Sequence, residues 1–62
     1  MKLGTLLKQI PIHQSIILME KGQQIAKGHS EYVDVVAFKD KTVGLITAKD
    51  NRMVINVYDR SK

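Results

Sequence analysis

The sequence contains no cysteine, which excludes disulfide bonds and thiolate metal sites. Domains of about 60 residues bury only about 60% of the surface that their unfolded chains expose, so their stability is marginal. Many of them depend on disulfides, a structural metal or self-association. We therefore expect one domain over residues 1–62 that is stabilised as a homo-oligomer, in the simplest case a dimer. The absence of cysteine also fits a reducing cytoplasm.

Aromatic residues, proline and long apolar runs are scarce as well. The chain has two tyrosines, one phenylalanine, no tryptophan and one proline. No apolar stretch approaches the ~20 residues of a membrane-spanning helix. The first residues become polar too early for a secretory signal peptide. We therefore expect a cytoplasmic protein without membrane contact.

Groups suited to catalysis or metal binding are few. The two histidines, His13 and His29, are not accompanied by a recognisable set of metal ligands. Ser15 and Ser30 lie close to them in sequence, but a nucleophile–base pair is defined by geometry and not by sequence distance. The glycines form no phosphate-binding loop. The sequence predicts a protein that is not an enzyme and has no catalytic residue, metal or cofactor.

The last third of the chain predicts a β-hairpin with apolar residues on both faces. Strands at residues 42–48 and 53–58 flank Asp50-Asn51, a dipeptide that tolerates the positive φ of a two-residue turn. Side chains alternate between the two faces of a strand, so the register assigns each residue to a face. The predicted register places Ala48 opposite Met53, Ile46 opposite Ile55 and Gly44 opposite Val57.

The second face of this hairpin is apolar too and holds Val43, Leu45, Val54 and Tyr58. A chain of this length can cover one face of a sheet with a helix, but hardly both. We expect the N-terminal helix on the face of Gly44, Ile46, Ile55 and Val57. The four residues of the second face are the predicted oligomer interface, with pairing of edge strands as the alternative route to an oligomer.

The first half of the chain predicts a short helix and another hairpin. Residues 3–10 have apolar side chains at helical spacing, with Gly4 or Thr5 as the N-cap, and the helix stops before Pro11. Strands at Ser15–Glu20 and residues 23–27 flank a Lys21-Gly22 turn. The predicted register pairs Leu18 with Ile25 and Ile17 with Ala26.

The connector between the hairpins, residues 31–39, has two interpretations. Its β-branched residues suit a strand, but Val35-Val36-Ala37-Phe38 does not alternate. We favour a short helix with Ser30 as its N-cap. The predicted fold is therefore α+β: a short N-terminal helix packed on a small antiparallel sheet of two β-hairpins, about four strands, with a short helical connector.

The stretches LGTLLKQIP, SIILMEKGQQIAKG and VGLITAKDNRMVINV, joined by the connector, resemble a loose family of small proteins encoded by bacteriophages and prophages of Firmicutes. These proteins combine a short LxxLLxxI helix with two hairpins. The resemblance implies a non-enzymatic accessory protein that acts by binding in the host cytoplasm. In that role it inhibits or modulates a host protein, such as a defence complex.

The net charge of +4 comes from ten Lys and Arg residues against six Asp and Glu residues. This balance is compatible with nucleic acid or an acidic protein as partner, although the scattered bases favour a solubilising surface. We predict that the charged loops and one aromatic residue bind the host protein: Lys41, Lys49, Arg52 and Tyr32.

A small basic nucleic-acid-binding module is the alternative function. Such a module combines cations that contact phosphates with aromatic side chains that stack on bases. The candidates are Tyr58, Tyr32 and Phe38, with Lys41, Lys49, Arg52 and Arg60.

Overall fold

The structure, a computed structural model, describes residues 1–59 and shows two helices and four strands within them. The α+β class and the helical connector are confirmed. Arg60 and the two residues after it lie outside the described residues. In chain order the elements are α1 (Leu3–Leu7), β1 (Ser15–Glu20), β2 (Gln23–Gly28), α2 (Val33–Val36), β3 (Thr42–Lys49) and β4 (Arg52–Tyr58).

The four strands form one mixed sheet in the order β2-β1-β4-β3. β1 pairs with β2 and β3 with β4 in the antiparallel direction, as predicted, but β1 and β4 are parallel. The expectation of a wholly antiparallel sheet is therefore wrong at its central pair. Two-residue turns determine the direction within each hairpin. The parallel pair instead depends on the crossover through α2, which local sequence does not reveal.

Both hairpin turns have positive φ at their two central residues. Lys21 and Gly22 have φ of 55° and 81°, and Asp50 and Asn51 have φ of 54° and 65°. Positive φ at both positions is the mark of a type I′ turn, whose twist matches that of the flanking strands. Both predicted turns are confirmed.

A β-bulge changes the register of the second hairpin. Ala48 lies opposite Met53 and Ile46 opposite Ile55, as predicted, but Val57 faces Val43 and not Gly44. Between these pairs β3 has one residue more than β4. Val43 is therefore turned to the core side, where it is half-buried. The prediction that Val43 shares a face with Leu45, Val54 and Tyr58 is wrong.

A second bulge changes the first hairpin. Leu18 lies opposite Ala26, and Ile17 opposite Lys27, because Ile25 is an extra residue in β2. Ala26 consequently joins the core, whereas Lys27 turns to the other face of the sheet. The predicted pairs of Leu18 with Ile25 and Ile17 with Ala26 are wrong for the same reason.

The core lies on one side of the sheet, beneath both helices. α1 contributes Leu3 and Leu7, and α2 contributes Val35. Gly44 and Ile46, which we expected under the N-terminal helix, are exposed and outside the core. The buried apolar residues are Leu3, Leu7, Ile10, Ile16, Leu18, Ala26, Val35, Ile55 and Val57.

Tertiary backbone contacts, and not side-chain caps, hold the start of α1. The N–H groups of Leu3 and Gly4 donate to the carbonyl oxygens of Lys41 and Lys39, each at 2.8 Å. Lys2 is the N-cap and makes no side-chain cap bond, so the predicted cap at Gly4 or Thr5 is wrong. The helix ends at Leu7, before the predicted residue 10.

Ser30 does not cap α2, whose N-cap is Tyr32. The Ser30 hydroxyl is buried and donates to the carbonyl oxygen of Ile10 at 3.3 Å. This bond ties the loop after β2 to the end of the α1 segment. The predicted helical stripe is also reduced, because Val35 is buried while Tyr32, Val36 and Lys39 are exposed.

Gly28 occupies a position that other residues fit poorly. Its φ is 153°, and a Cβ atom there would lie 2.6 Å from Cδ2 of Tyr32. The Tyr32 ring therefore packs directly on the Gly28 backbone. We expect Gly28→Ala to lower the free energy of unfolding by about 1–3 kcal/mol, because it adds backbone strain and displaces the ring. Urea titration followed by circular dichroism measures the change.

Gly44→Ala is the matched control for this substitution. A Cβ atom on Gly44 would lie no closer than 3.4 Å to another residue, its nearest neighbour being the carbonyl oxygen of Asn56. We expect a change of less than about 0.5 kcal/mol. Equal stability of the Gly28→Ala and Gly44→Ala proteins would contradict the role given to Gly28.

Candidate functional site

The face of the sheet turned away from the core has no helix packed across it within residues 1–59, and we call it the open face. Alternation along the strands and the observed pairing determine its members. Leu45 is 66% exposed, whereas Ile17, Met19 and Val54 are half-buried by their neighbours. The open face consists of Ser15, Ile17, Met19, Gln24, Lys27, Thr42, which is buried, Leu45, Thr47, Lys49, Arg52, Val54, Asn56 and Tyr58.

The open face is cationic. It carries Lys27, Lys49 and Arg52, all exposed, and none of its members is acidic. Lys49 lies directly opposite Arg52 beside the β3–β4 turn. The two like charges repel each other. Their potentials add, so the end of the hairpin has a positive potential.

A groove lies where the open face meets the loop after β2. Its volume is about 660 Å³, and we call it the Tyr32 groove. Tyr32 and Arg52 both line it, so the structure brings together two of the predicted partner-binding residues, with Lys49 beside Arg52. Among the residues that line the groove are Ile17, Lys27, His29, Tyr32 and Arg52, together with one carboxylate, Asp34.

The Tyr32 ring is held in place from two sides. One side packs on the Gly28 backbone, and His29 meets the ring edge-to-face at 5.6 Å between centroids. Nδ1 of His29 accepts a hydrogen bond from the Glu31 N–H at 3.2 Å, which orients the imidazole. The tyrosine remains 42% exposed, so part of a fixed aromatic surface faces the groove.

Sequence reasoning missed Lys27 and His29 as residues of this site. Without the bulge at Ile25, Lys27 would lie opposite Ile16 and point toward the core. A lysine at an intended core position is itself a signal that the register must shift, because an unpaired buried charge is strongly unfavourable. His29 belongs to the site because the Tyr32 ring packs back onto Gly28 and there contacts the imidazole. No sequence pattern predicts this packing.

Lys41 lies apart from the other predicted partner-binding residues. It precedes β3, whereas Lys49 ends it, so their backbones are about 26 Å apart along the strand. Its Nζ donates to Oε2 of Glu20 at 3.1 Å and contacts Oδ1 of Asp59 at 3.3 Å. The same atom lies 5.9 Å from the centroid of the Phe38 ring. Lys41 therefore joins the ends of β1 and β4 to the start of β3.

A second cavity, of about 510 Å³, separates α1 from the α2 segment. Its floor is apolar, and its rim mixes bases with acids. Such a rim has no dominant charge, in contrast to the open face. The charged residues around it are Lys2, Lys8, Lys39, Glu31 and Asp40.

Metal ligands do not converge within residues 1–59, where no three His, Cys, Asp or Glu side chains are placed to hold an ion. No helix in this part of the chain is long and apolar enough to cross a membrane. No protein-family model, no curated protein and no solved structure matches the chain.

The Lys41 cluster predicts a dependence of stability on alkaline pH. The hydrogen bond to Glu20, with a further contribution from Asp59, raises the pKa of Lys41 above its ordinary value of 10.5. Its stabilising effect is present below the unfolded-state pKa and is lost as the pH rises through the folded-state pKa. We expect the difference in unfolding free energy between wild type and Lys41→Met to be constant from neutral pH to about pH 10 and to shrink above it.

Urea titrations at a series of pH values measure this difference. Lys39→Met is the control, because Lys39 is exposed and makes no ion pair within residues 1–59. Its difference from wild type should not follow the same curve. A Lys41→Met difference that stays flat to strongly alkaline pH would refute the stabilising role of the cluster.

Proposed function

We propose that the chain is a small protein-binding module that works as a homodimer, and that two copies pair through the outer edge of β3. The observation that carries this proposal is an unpaired stretch of β3 with exposed apolar side chains on both of its faces. The proposal keeps the oligomer expected from the sequence and moves its centre from the open face to the strand edge.

The outer edge of β3 is covered only at its start. Lys2 forms a bridge with Thr42, and the Val43 N–H donates to the carbonyl oxygen of Met1 at 2.8 Å. Residues 44–49 pair with no other segment on this side within the described chain, and all six are exposed. A row of unpaired N–H and C=O groups is a template for another strand.

The two edges of the sheet differ in how they are protected. β2, at the other edge, has a bulge at Ile25, a charge at Lys27 and packing contacts with α2. All of these discourage pairing with another chain. Beyond its bulge, β3 has neither proline nor charge before Lys49, and Leu45 and Ile46 are 66% and 42% exposed. The β3 edge is therefore the better site for self-association.

The predicted oligomer interface changes accordingly. Leu45 lies at the β3 edge and belongs to the proposed contact, whereas Val54 and Tyr58 lie on β4 and remain on the open face outside it. Val43 packs on the core side and lies where Met1 already pairs with β3, so it is not part of the proposed contact. Antiparallel pairing of two β3 strands would give one continuous sheet with two open faces on the same side.

Binding of a host protein is the second part of the proposal. It follows from the resemblance to small phage proteins, and a dimer of this kind leaves the open faces available for a partner. Affinity purification from a Firmicute lysate, with quantitation of the recovered proteins, tests it. One host protein recovered in stoichiometric amount, and lost when Leu45 and Arg52 are replaced, supports modulation of that protein.

The dimer is tested by a proline at the strand edge. Residues 49 and 52 flank a type I′ turn and form a hydrogen-bonded pair, so the N–H of the next residue, Ala48, points outward. Ala48→Pro removes that donor and obstructs the edge without breaking the β3–β4 ladder. We expect a wild-type dimer and an Ala48→Pro monomer at micromolar concentration, with the same circular dichroism spectrum, by size-exclusion chromatography with light scattering.

Two control variants distinguish a dimer that pairs through the β3 edge from one that packs through the open face. Ala48→Thr keeps the N–H and should remain dimeric. Val54→Lys places a charge in the middle of the open face and should also leave an edge-paired dimer intact. A wild-type monomer, or a dimer that resists Ala48→Pro and is lost in Val54→Lys, would rule out pairing through β3.

A further inference from the structure

Three features of the Tyr32 groove have no part in the proposed dimer. The groove offers a fixed aromatic surface, it is flanked by cations, and it lies on the β1–β2 side of the sheet, away from the β3 edge. Its volume of about 660 Å³ is within the range of pockets that hold a ligand the size of a nucleotide. We propose that the groove and the adjoining open face bind single-stranded nucleic acid.

The aromatic component is Tyr32. Its ring is supported from behind by Gly28 and at its edge by His29, so it loses little conformational freedom on binding. An exposed tyrosine in a groove stacks on any base, because every base has a π-face. Tyr32 lies at the β2 edge on the core side, because it packs where a Cβ on Gly28 would point and Gly28 pairs with core-facing Ile16. Tyr58 is the aromatic residue of the open face, six residues beyond Arg52 on β4, about 20 Å along the strand. The groove, which Arg52 also lines, and Tyr58 are thus separated by space for a few nucleotides.

The electrostatic component is the set of three bases. Lys27 lies opposite Ile17 and Arg52 opposite Ser15, on the two strands that flank β1, so the bases are diagonal and about 10 Å of sheet separates their strands. Lys49 lies opposite Arg52 and adds to the local positive potential. Within residues 1–59, no carboxylate belongs to the open face, and Asp34 is the one carboxylate that lines the groove, against two cations, Lys27 and Arg52. Phosphates are the complementary ligands, since each neutralised phosphate releases counterions from the strand.

Between the two ends, the open face offers polar groups to base edges. Asn56 and Thr47 lie on the middle rows of the sheet, next to Val54. The amide nitrogen of Asn56 donates to the Leu45 carbonyl oxygen at 3.4 Å, a long bond that leaves its side-chain oxygen open to a donor. Half-buried Ile17 and Met19 provide an apolar floor for sugars and bases. An acidic protein could meet the cations, but it would not need the fixed aromatic surface in the groove.

The experiment is a fluorescence anisotropy titration with a short fluorescein-labelled oligouridylate at several salt concentrations. One phosphate contact at Lys27 and one at Arg52 predict a slope of log affinity against log salt of about −1.4. Arg52→Gln and Lys27→Gln should each weaken binding and reduce the magnitude of the slope by about 0.7. Tyr32→Leu should weaken binding about tenfold at an unchanged slope.

Two matched controls make the test specific to the groove. Lys8→Gln removes the same charge from the exposed surface of the helix side and should bind as wild type does. Tyr32→Phe keeps the stacking ring and the packing on Gly28, so it should also bind as wild type does. Circular dichroism spectra establish that each variant is folded.

Three results would overturn the proposal. The first is no binding at low salt, and the second is an equal loss in Lys8→Gln and Arg52→Gln, which would indicate diffuse attraction only. The third is displacement of the oligouridylate by poly-L-glutamate as effectively as by unlabelled oligouridylate, which would assign the groove to an acidic protein. The Ala48→Pro variant should bind the oligonucleotide normally, so a failure of the dimer and a failure of the groove can be told apart.

Discussion

The parallel pairing of β1 with β4 is the constraint on which the rest of the structure depends. It places Leu18 beside Ile55 in the middle of the sheet, and both are fully buried. Two helices of five and four residues can cover this centre on one side only. The other side stays open, and both β2 and β3 become edges. The core, the open face and the free β3 edge thus follow from a single choice of strand neighbours.

The two β-bulges then decide which side chains reach each face. A bulge adds one residue to one strand, and every residue beyond it changes face. The bulge at Ile25 brings Lys27 to the open face, and the bulge in β3 takes Val43 away from it. The open face is thereby more basic and less apolar than a regular ladder would make it. The open face is therefore suited to anions, whereas the outer edge of β3 remains apolar.

The proposed activities occupy opposite sides of the sheet. The proposed self-association would use β3, where Leu45 and Ile46 flank unpaired backbone groups, whereas the Tyr32 groove lies along β1 and β2 with Arg52 of β4 at its side. A small chain without disulfides can in this way use one edge for stability and the opposite side for a ligand. The Lys41 cluster lies outside both proposed surfaces, and its charge is matched by Glu20 and Asp59.

Local sequence was sufficient for the two turns and the helical connector, but not for the helix caps, because backbone bonds to Lys39 and Lys41 hold the start of α1 and Ser30 bonds to Ile10. Asp50-Asn51 and Lys21-Gly22 predicted both turns, and the failure of residues 35–38 to alternate predicted a helical connector. Tertiary structure alone decided the parallel central pair, the bulges and the groove beside Tyr32. A turn constrains only the strands that it joins, whereas the meeting of two hairpins and the face of Lys27 depend on how the whole chain buries its few large apolar side chains.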